Sequence, residues 1–112
     1  MEIITRNHGE ITILDIKGEI DLYNAVELEM TARKLFKENK TRILINLAEA
    51  PYVDSNGLGK LLFIERELKK VSGTLKITGL SPGLKKIFQI TKLDTKIAVF
   101  DSEESALRAF GT

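Results

Sequence analysis

The stretch Tyr52-Val53-Asp54-Ser55-Asn56-Gly57-Leu58-Gly59 decides the fold, because it joins an aliphatic strand to an apolar-periodic helix. Upstream, Ile43-Leu44-Ile45-Asn46-Leu47 is a short aliphatic run of the kind a buried strand requires. Downstream, Leu58, Leu61, Leu62, Leu68 and Val71 recur at helical spacing, and Ser72-Gly73 supplies a stop near the end of a helix over 57 to 71. Ser55 is thereby delivered to a strand-to-helix turn, with an acid before it and two glycines after. Such turns are exposed and commonly carry binding residues.

Working outward toward the amino end, residues 2 to 6 and 10 to 17 are rich in isoleucine and threonine, and Asn7-His8-Gly9 provides turn chemistry between them. This predicts an antiparallel hairpin. Ile11, Ile13, Leu14 and Ile16 put apolar groups on both faces of the second strand, so it is interior to the sheet. Gly18-Glu19-Ile20-Asp21 then turns into a helix whose Leu28, Ala32, Leu35 and Phe36 form a core stripe, with Asp21 or Asn24 as its cap.

Toward the carboxyl end, Leu75-Lys76-Ile77-Thr78 is a fourth strand. Ser81-Pro82 gives an N-cap followed by proline at the first helical position, and Leu84, Ile87 and Phe88 supply the buried face. Ile97-Ala98-Val99-Phe100 is the last strand, and Asp101-x-x-Glu104 has capping-box spacing ahead of Ala106, Leu107 and Phe110. Alternation of strand and helix predicts an α/β fold: a mixed, mostly parallel sheet with an N-terminal antiparallel hairpin and about four helices. The 112 residues suffice for one core, so residues 1–112 are expected to form a single domain.

Composition narrows function by exclusion. Seventeen basic and sixteen acidic residues leave a net charge of +1, so nothing in the charge balance favours nucleic acid or an anionic membrane. Lys69-Lys70 and Lys85-Lys86 read as solvated helix faces. There is no cysteine and only one histidine, His8, so no metal site or cofactor is expected. No basic leader or long apolar segment is visible, which sets cytoplasmic location as the expectation. Monomer is the expected state, since both faces of the sheet find cover within one chain.

Ser55 also invites comparison with a hydrolase nucleophile. The glycine-x-serine-x-glycine elbow is missing, because Val53 stands at the first glycine position, and His8 lies in a hairpin turn. Without a base the hydroxyl stays inert. Gly57-x-Gly59 lacks the further glycines and the lysine-serine pair of a phosphate-binding loop. Taken singly, Asp54 and Ser55 are ordinary helix-capping residues, and Gly57 and Gly59 ordinary packing residues.

Three signatures in order change that reading. Gly18-Glu19-Ile20-Asp21, Asp54-Ser55-Asn56-Gly57-Leu58-Gly59 and Ser81-Pro82-Gly83-Leu84-Lys85-Lys86-Ile87-Phe88, at these spacings, resemble the STAS domain over nearly the whole chain, and within it the bacterial anti-sigma factor antagonists. The resemblance implies a regulator rather than an enzyme. It implies that Ser55 is phosphorylated by a partner serine kinase that is also the anti-sigma factor, and that a metal-dependent serine phosphatase reverses this. The dephosphorylated chain would bind the anti-sigma factor and release the sigma factor for transcription. The alternative within the family is a STAS interaction subunit of a non-sigma signalling or transport complex. Many relatives carry a second hydroxyl residue where this chain has Asn56, and an aliphatic or small residue where it has Lys60.

The candidate partner surface follows from the predicted topology. Asp21, Tyr23 and Asn24 follow the carboxyl end of one parallel strand and Asp54, Asn56 and Gly57 that of its neighbour, so the two loops are expected side by side. Leu61, Ile64, Leu68 and Val71 form one face of the second helix, and Phe63 lies nearly opposite. Phe63, with Lys60 and Glu67, is therefore expected on the solvent side as a partner contact.

Overall fold

The computed structural model describes residues 1–111. Strand β1 (Glu2–His8) and strand β2 (Ile11–Lys17) form the antiparallel hairpin, with His8 opposite Ile11. Its tight turn begins at Gly9, whose φ of +60° is a conformation that side chains disfavour. Helix α1 spans Ala25–Lys37, β3 Arg42–Glu49, α2 Ser55–Lys70 and β4 Thr74–Thr78. Helix α3 (Pro82–Ile90), a single 3-10 turn at Leu93–Thr95, β5 (Ala98–Phe100) and α4 (Glu103–Ala109) complete the α/β domain.

The strand order is β1-β2-β3-β4-β5, antiparallel at the first pair and parallel thereafter. A sheet laid down in sequence order, with crossovers of one hand, puts every crossover helix on one face. Accordingly Leu14, Ile16, Ile43, Ile45, Leu75 and Ile77 share one core with Leu28 and Leu35 of α1, Leu61, Ile64 and Leu68 of α2, and Leu84 and Phe88 of α3. Alternate residues face the other way: Ile11, Ile13 and Leu44 pack under Ala106 and Phe110 of α4 and its end.

Arginines fasten α4 at both ends. The Arg6 guanidinium reaches Asp15 at 2.5 Å and Glu103 at 2.5 Å, while Arg42 donates to the Phe110 carbonyl. At the opposite edge of the sheet Met1 lies against Gly18, where a side chain would come within 3.4 Å of the Met1 Cα.

Two local expectations are corrected. Val71 is not on the core face but 60% exposed, because α2 ends at Lys70 and Ser72 turns left-handed at φ +59°. Gly73 instead admits close packing, since a Cβ there would lie 2.7 Å from the Thr41 carbonyl. The α4 capping box is Ser102 with Ser105, not Asp101 with Glu104.

Candidate functional site

Beyond the last paired residues of β2 and β3 the two chains stay together. Ile20 and Val53 form an isolated parallel bridge, in which the Ile20 N–H donates to Tyr52 at 3.0 Å and the Asp54 N–H donates to Ile20 at 3.0 Å. Both bridge side chains are buried, so the loops are held from beneath by the core.

Asp54 leaves this bridge with extended backbone and caps α2. Its carboxylate accepts from the Asn56 N–H at 2.9 Å and the Gly57 N–H at 3.1 Å, two donors that a helix start otherwise leaves unpaired. The Gly57 N–H above all, with Asn56 and the Leu22 N–H of the neighbouring loop, holds the Asp54 carboxyl below its ordinary range. Gly57 is needed for contact: a Cβ there would lie 2.5 Å from Val53 Cγ1 and 2.7 Å from Ile20 Cγ2. Gly59, two residues on, faces open space.

Ser55 is the first residue of α2 and is exposed. Asp54 has taken the capping role, and among the described residues no hydrogen bond engages the Ser55 hydroxyl. It stands free at the positive end of a 16-residue helix.

The neighbouring loop is equally ordered. The Asp21 carboxylate accepts from the Tyr23 N–H at 2.9 Å and the Asn24 N–H at 3.1 Å, and the Asn24 side-chain oxygen accepts from the Asp21 N–H at 2.9 Å. Asn24 also donates to the Glu19 carbonyl at 2.9 Å. With these polar groups engaged in the turn, Leu22 and Tyr23 project outward, 64% and 88% exposed. Asp21, Tyr23 and Asn24 are thus gathered beside Asp54, Asn56 and Gly57 by the Ile20–Val53 bridge.

Lys60 and Phe63 sit elsewhere. Lys60 donates to Glu29 of α1 at 2.6 Å, and Arg33, which also bonds Glu29, lies 4.8 Å over the Phe63 ring. The solvent-facing expectation for Phe63 is corrected: it is half-buried against the core at the α1–α2 seam. What sequence reasoning missed is the outer face of α1, where Val26 and Met30 are 49% and 63% exposed. The signal was present, because Leu22, Val26 and Met30 are spaced four apart, offset from the core stripe.

His8 ends β1 at the start of β2, the edge of the sheet opposite Ser55. Among the described residues no group of three acidic, histidine or cysteine side chains could hold a metal ion, and no helix is long and apolar enough to cross a membrane.

A STAS domain model matches residues 2–106. The anti-sigma-B factor antagonist of Bacillus subtilis is 32% identical over 105 residues, covering 94% of each chain. The solved structure of the anti-sigma factor antagonist SpoIIAA in its unphosphorylated form superposes with a TM-score of 0.79 at 23% identity, covering 99% of this chain and 100% of that one. The Bacillus cell fate determinant SpoIIAA in its phosphorylated form gives 0.75 at 24% identity, over 96% of this chain and 99% of that one. Match and fold agree along the whole sheet, and the chain belongs to the STAS domain family, among the anti-sigma factor antagonists.

Proposed function

We propose that this chain is a phosphorylation-controlled partner switch in which Ser55 is the acceptor. The observation that carries the reading is the Ser55 hydroxyl, exposed and unbonded at the start of α2, where Asp54 has taken the capping role. A kinase can take such a hydroxyl without unfolding anything. The dephosphorylated chain binds an anti-sigma factor that is also the serine kinase, and so frees a sigma factor; a metal-dependent serine phosphatase resets it. The chain itself is a substrate, not an enzyme, and works in the cytoplasm as a monomer. Asp21, Tyr23, Asn24, Asp54, Asn56 and Gly57 frame the contact.

The physics favours a local block. A phosphate at a helix amino end gains about 0.3 to 1 kcal/mol from the dipole, and Asp54 opposes part of that by like charge. Fold stability therefore changes little. Binding changes much more, because roughly −1.5 to −2 charge must be desolvated at an interface formed without a partner for it. A loss of about 4 kcal/mol corresponds to roughly a thousandfold in affinity.

The test is ATP-dependent phosphate incorporation in lysate of the source organism, read by intact mass, on the wild type beside Ser55→Ala. One phosphate on the wild type alone supports the switch. Equal modification of both moves the acceptor elsewhere, and modification of neither points to a constitutive STAS subunit of another complex.

A further inference from the structure

Asn56-Gly57 is the one asparagine-glycine pair in the sequence; the other four asparagines precede His8, Ala25, Lys40 and Leu47, each of which carries a Cβ. The pair matters chemically, because an asparagine side chain is labile where the next amide nitrogen can reach it, and only glycine leaves that nitrogen unhindered. Packing demands this glycine: a Cβ on residue 57 would lie 2.5 Å from Val53 Cγ1 and 2.7 Å from Ile20 Cγ2. Asn56 itself is exposed. The fold therefore fixes a reactive pair in the first turn of α2, directly after Ser55.

Asp54 holds both reacting groups. Its Oδ1 accepts from the Gly57 N–H at 3.1 Å and from the Asn56 N–H at 2.9 Å, and its Oδ2 accepts from the Asn56 side-chain amide at 3.4 Å. The nitrogen that would attack keeps its proton in a bond to a carboxylate, and the amide that would be attacked is turned to the other oxygen of the same group. Helical backbone at Asn56 keeps the two apart as well, since ring closure needs Asn56 to rotate out of the helical range.

We infer that Asn56 is a site of slow, irreversible deamidation, and that the Asp54 cap sets its rate. When the cap opens, the Gly57 amide nitrogen gives up its proton to solvent base and bonds to Asn56 Cγ. The Cγ–Nδ2 bond breaks, the nitrogen leaves as ammonia after taking up a proton from solvent, and a cyclic succinimide remains. Water then adds at one of its two carbonyls, giving aspartate at 56 or isoaspartate, whose main chain is one carbon longer; nothing is oxidised or reduced. Either product puts a carboxylate two residues from Asp54 in place of a neutral amide, and the longer chain meets Gly57, where no space is left. The turn that presents Ser55 is thereby loosened, and the converted chain leaves the phosphorylation cycle. That last consequence alone rests on the phosphorylation reading above.

The experiment incubates the purified chain in warm, mildly alkaline buffer, follows the gain of negative charge by ion exchange and locates it by peptide mass mapping. Folded wild type is compared with wild type in guanidinium chloride, with Asp54→Ala, with Asp54→Ser, which keeps an N-capping oxygen, and with Asn56→Gln. Unfolding midpoints confirm that the variants are folded. Conversion is expected at Asn56, about five- to tenfold faster in Asp54→Ala than in folded wild type, intermediate in Asp54→Ser and fastest in denaturant. Asn56→Gln should show none over the same period. Equal rates in folded wild type and both Asp54 variants, with faster conversion in denaturant, would overturn Asp54 as the gate. No conversion at Asn56 in denaturant, or earlier conversion of another asparagine there, would overturn the site. The isolated converted chain is then offered to source lysate with ATP beside fresh wild type, and its phosphate gain at Ser55 is expected to be lost. Equal gain by both would overturn the consequence for the switch and leave the site standing. No gain by fresh wild type removes the switch and that consequence with it, while the conversion rates still decide the site.

Discussion

Gly57 and Gly59 are two residues apart on α2 and face opposite circumstances. Gly57 presses on the Ile20–Val53 bridge, where a methyl group would need 2.5 Å and 2.7 Å contacts with branched side chains. Gly57→Ala is expected to cost about 1 to 3 kcal/mol, read from the urea midpoint. Gly59 has open space and pays only the entropy of glycine in a helix, so Gly59→Ala should stabilise by about 0.5 to 1 kcal/mol. If the stabler Gly59→Ala chain also accepts phosphate more slowly, the missing side chain serves access to Ser55.

Glu65 is a second residue with a definite sign. It is buried on α2 with Lys69 3.8 Å away, and burial pushes its carboxyl above the ordinary range. The folded chain therefore holds this proton more tightly than the unfolded one. Its stability falls as pH rises through the raised value and stays lowered above it. Glu65→Gln should remove that decline, being more stable than wild type at neutral pH and converging with it in acid, as urea midpoints across pH would record.

At the scale of elements, the Asp21–Asn24 turn sets how α1 meets the Ser55 loop. Asp21 satisfies two N–H groups ahead of the helix, so Asp21→Ala should cost about 0.5 to 2 kcal/mol. Hydrogen exchange should show the loss first at residues 21 to 25, with β3 and β4 unchanged. The capping residues Asp54 and Ser81 were legible in the sequence, because a short polar side chain before an apolar-periodic run has one dominant structural use. The end of α2 was not: Val71 continues the spacing of Leu61, Ile64 and Leu68, and periodicity does not say where the backbone stops being helical. Phe63 was misread for another reason. A helical projection knows the helix's own core stripe but not that α1 brings Arg33 over the ring. Lys60 had the same difficulty, with its carboxylate partner Glu29 on a different helix. In α4 two candidate caps stood side by side, and the Ser102–Ser105 reciprocity won over Asp101.

For the whole molecule, the parallel pairing of β2 through β5 gathers the loops that follow these strands at one end of the sheet. The Ser55 loop is braced there by the core, by Asp54 and by the bridge to Ile20, and this bracing makes a rearranging switch unnecessary. Ser55→Glu is accordingly expected to leave the unfolding midpoint and the amide spectrum unchanged except near residues 52 to 59 and 20 to 24, while partner retention is lost. Shifts spreading to α4 or β5 would contradict a purely local block.

The contact between Met1 and Gly18 has a practical consequence for anyone who handles this chain. Polypeptide joined ahead of Met1 emerges at the end of the sheet that carries Ser55, and on the proposed reading it is expected to hinder a partner there. The Phe110 carbonyl is tied to Arg42 at the start of β3, the far edge. A purification handle, fluorophore or sensor-chip linkage at the carboxyl end is therefore expected to leave the Ser55 end clear, whereas the same handle at the amino end is expected to weaken partner capture, as a side-by-side pull-down would record.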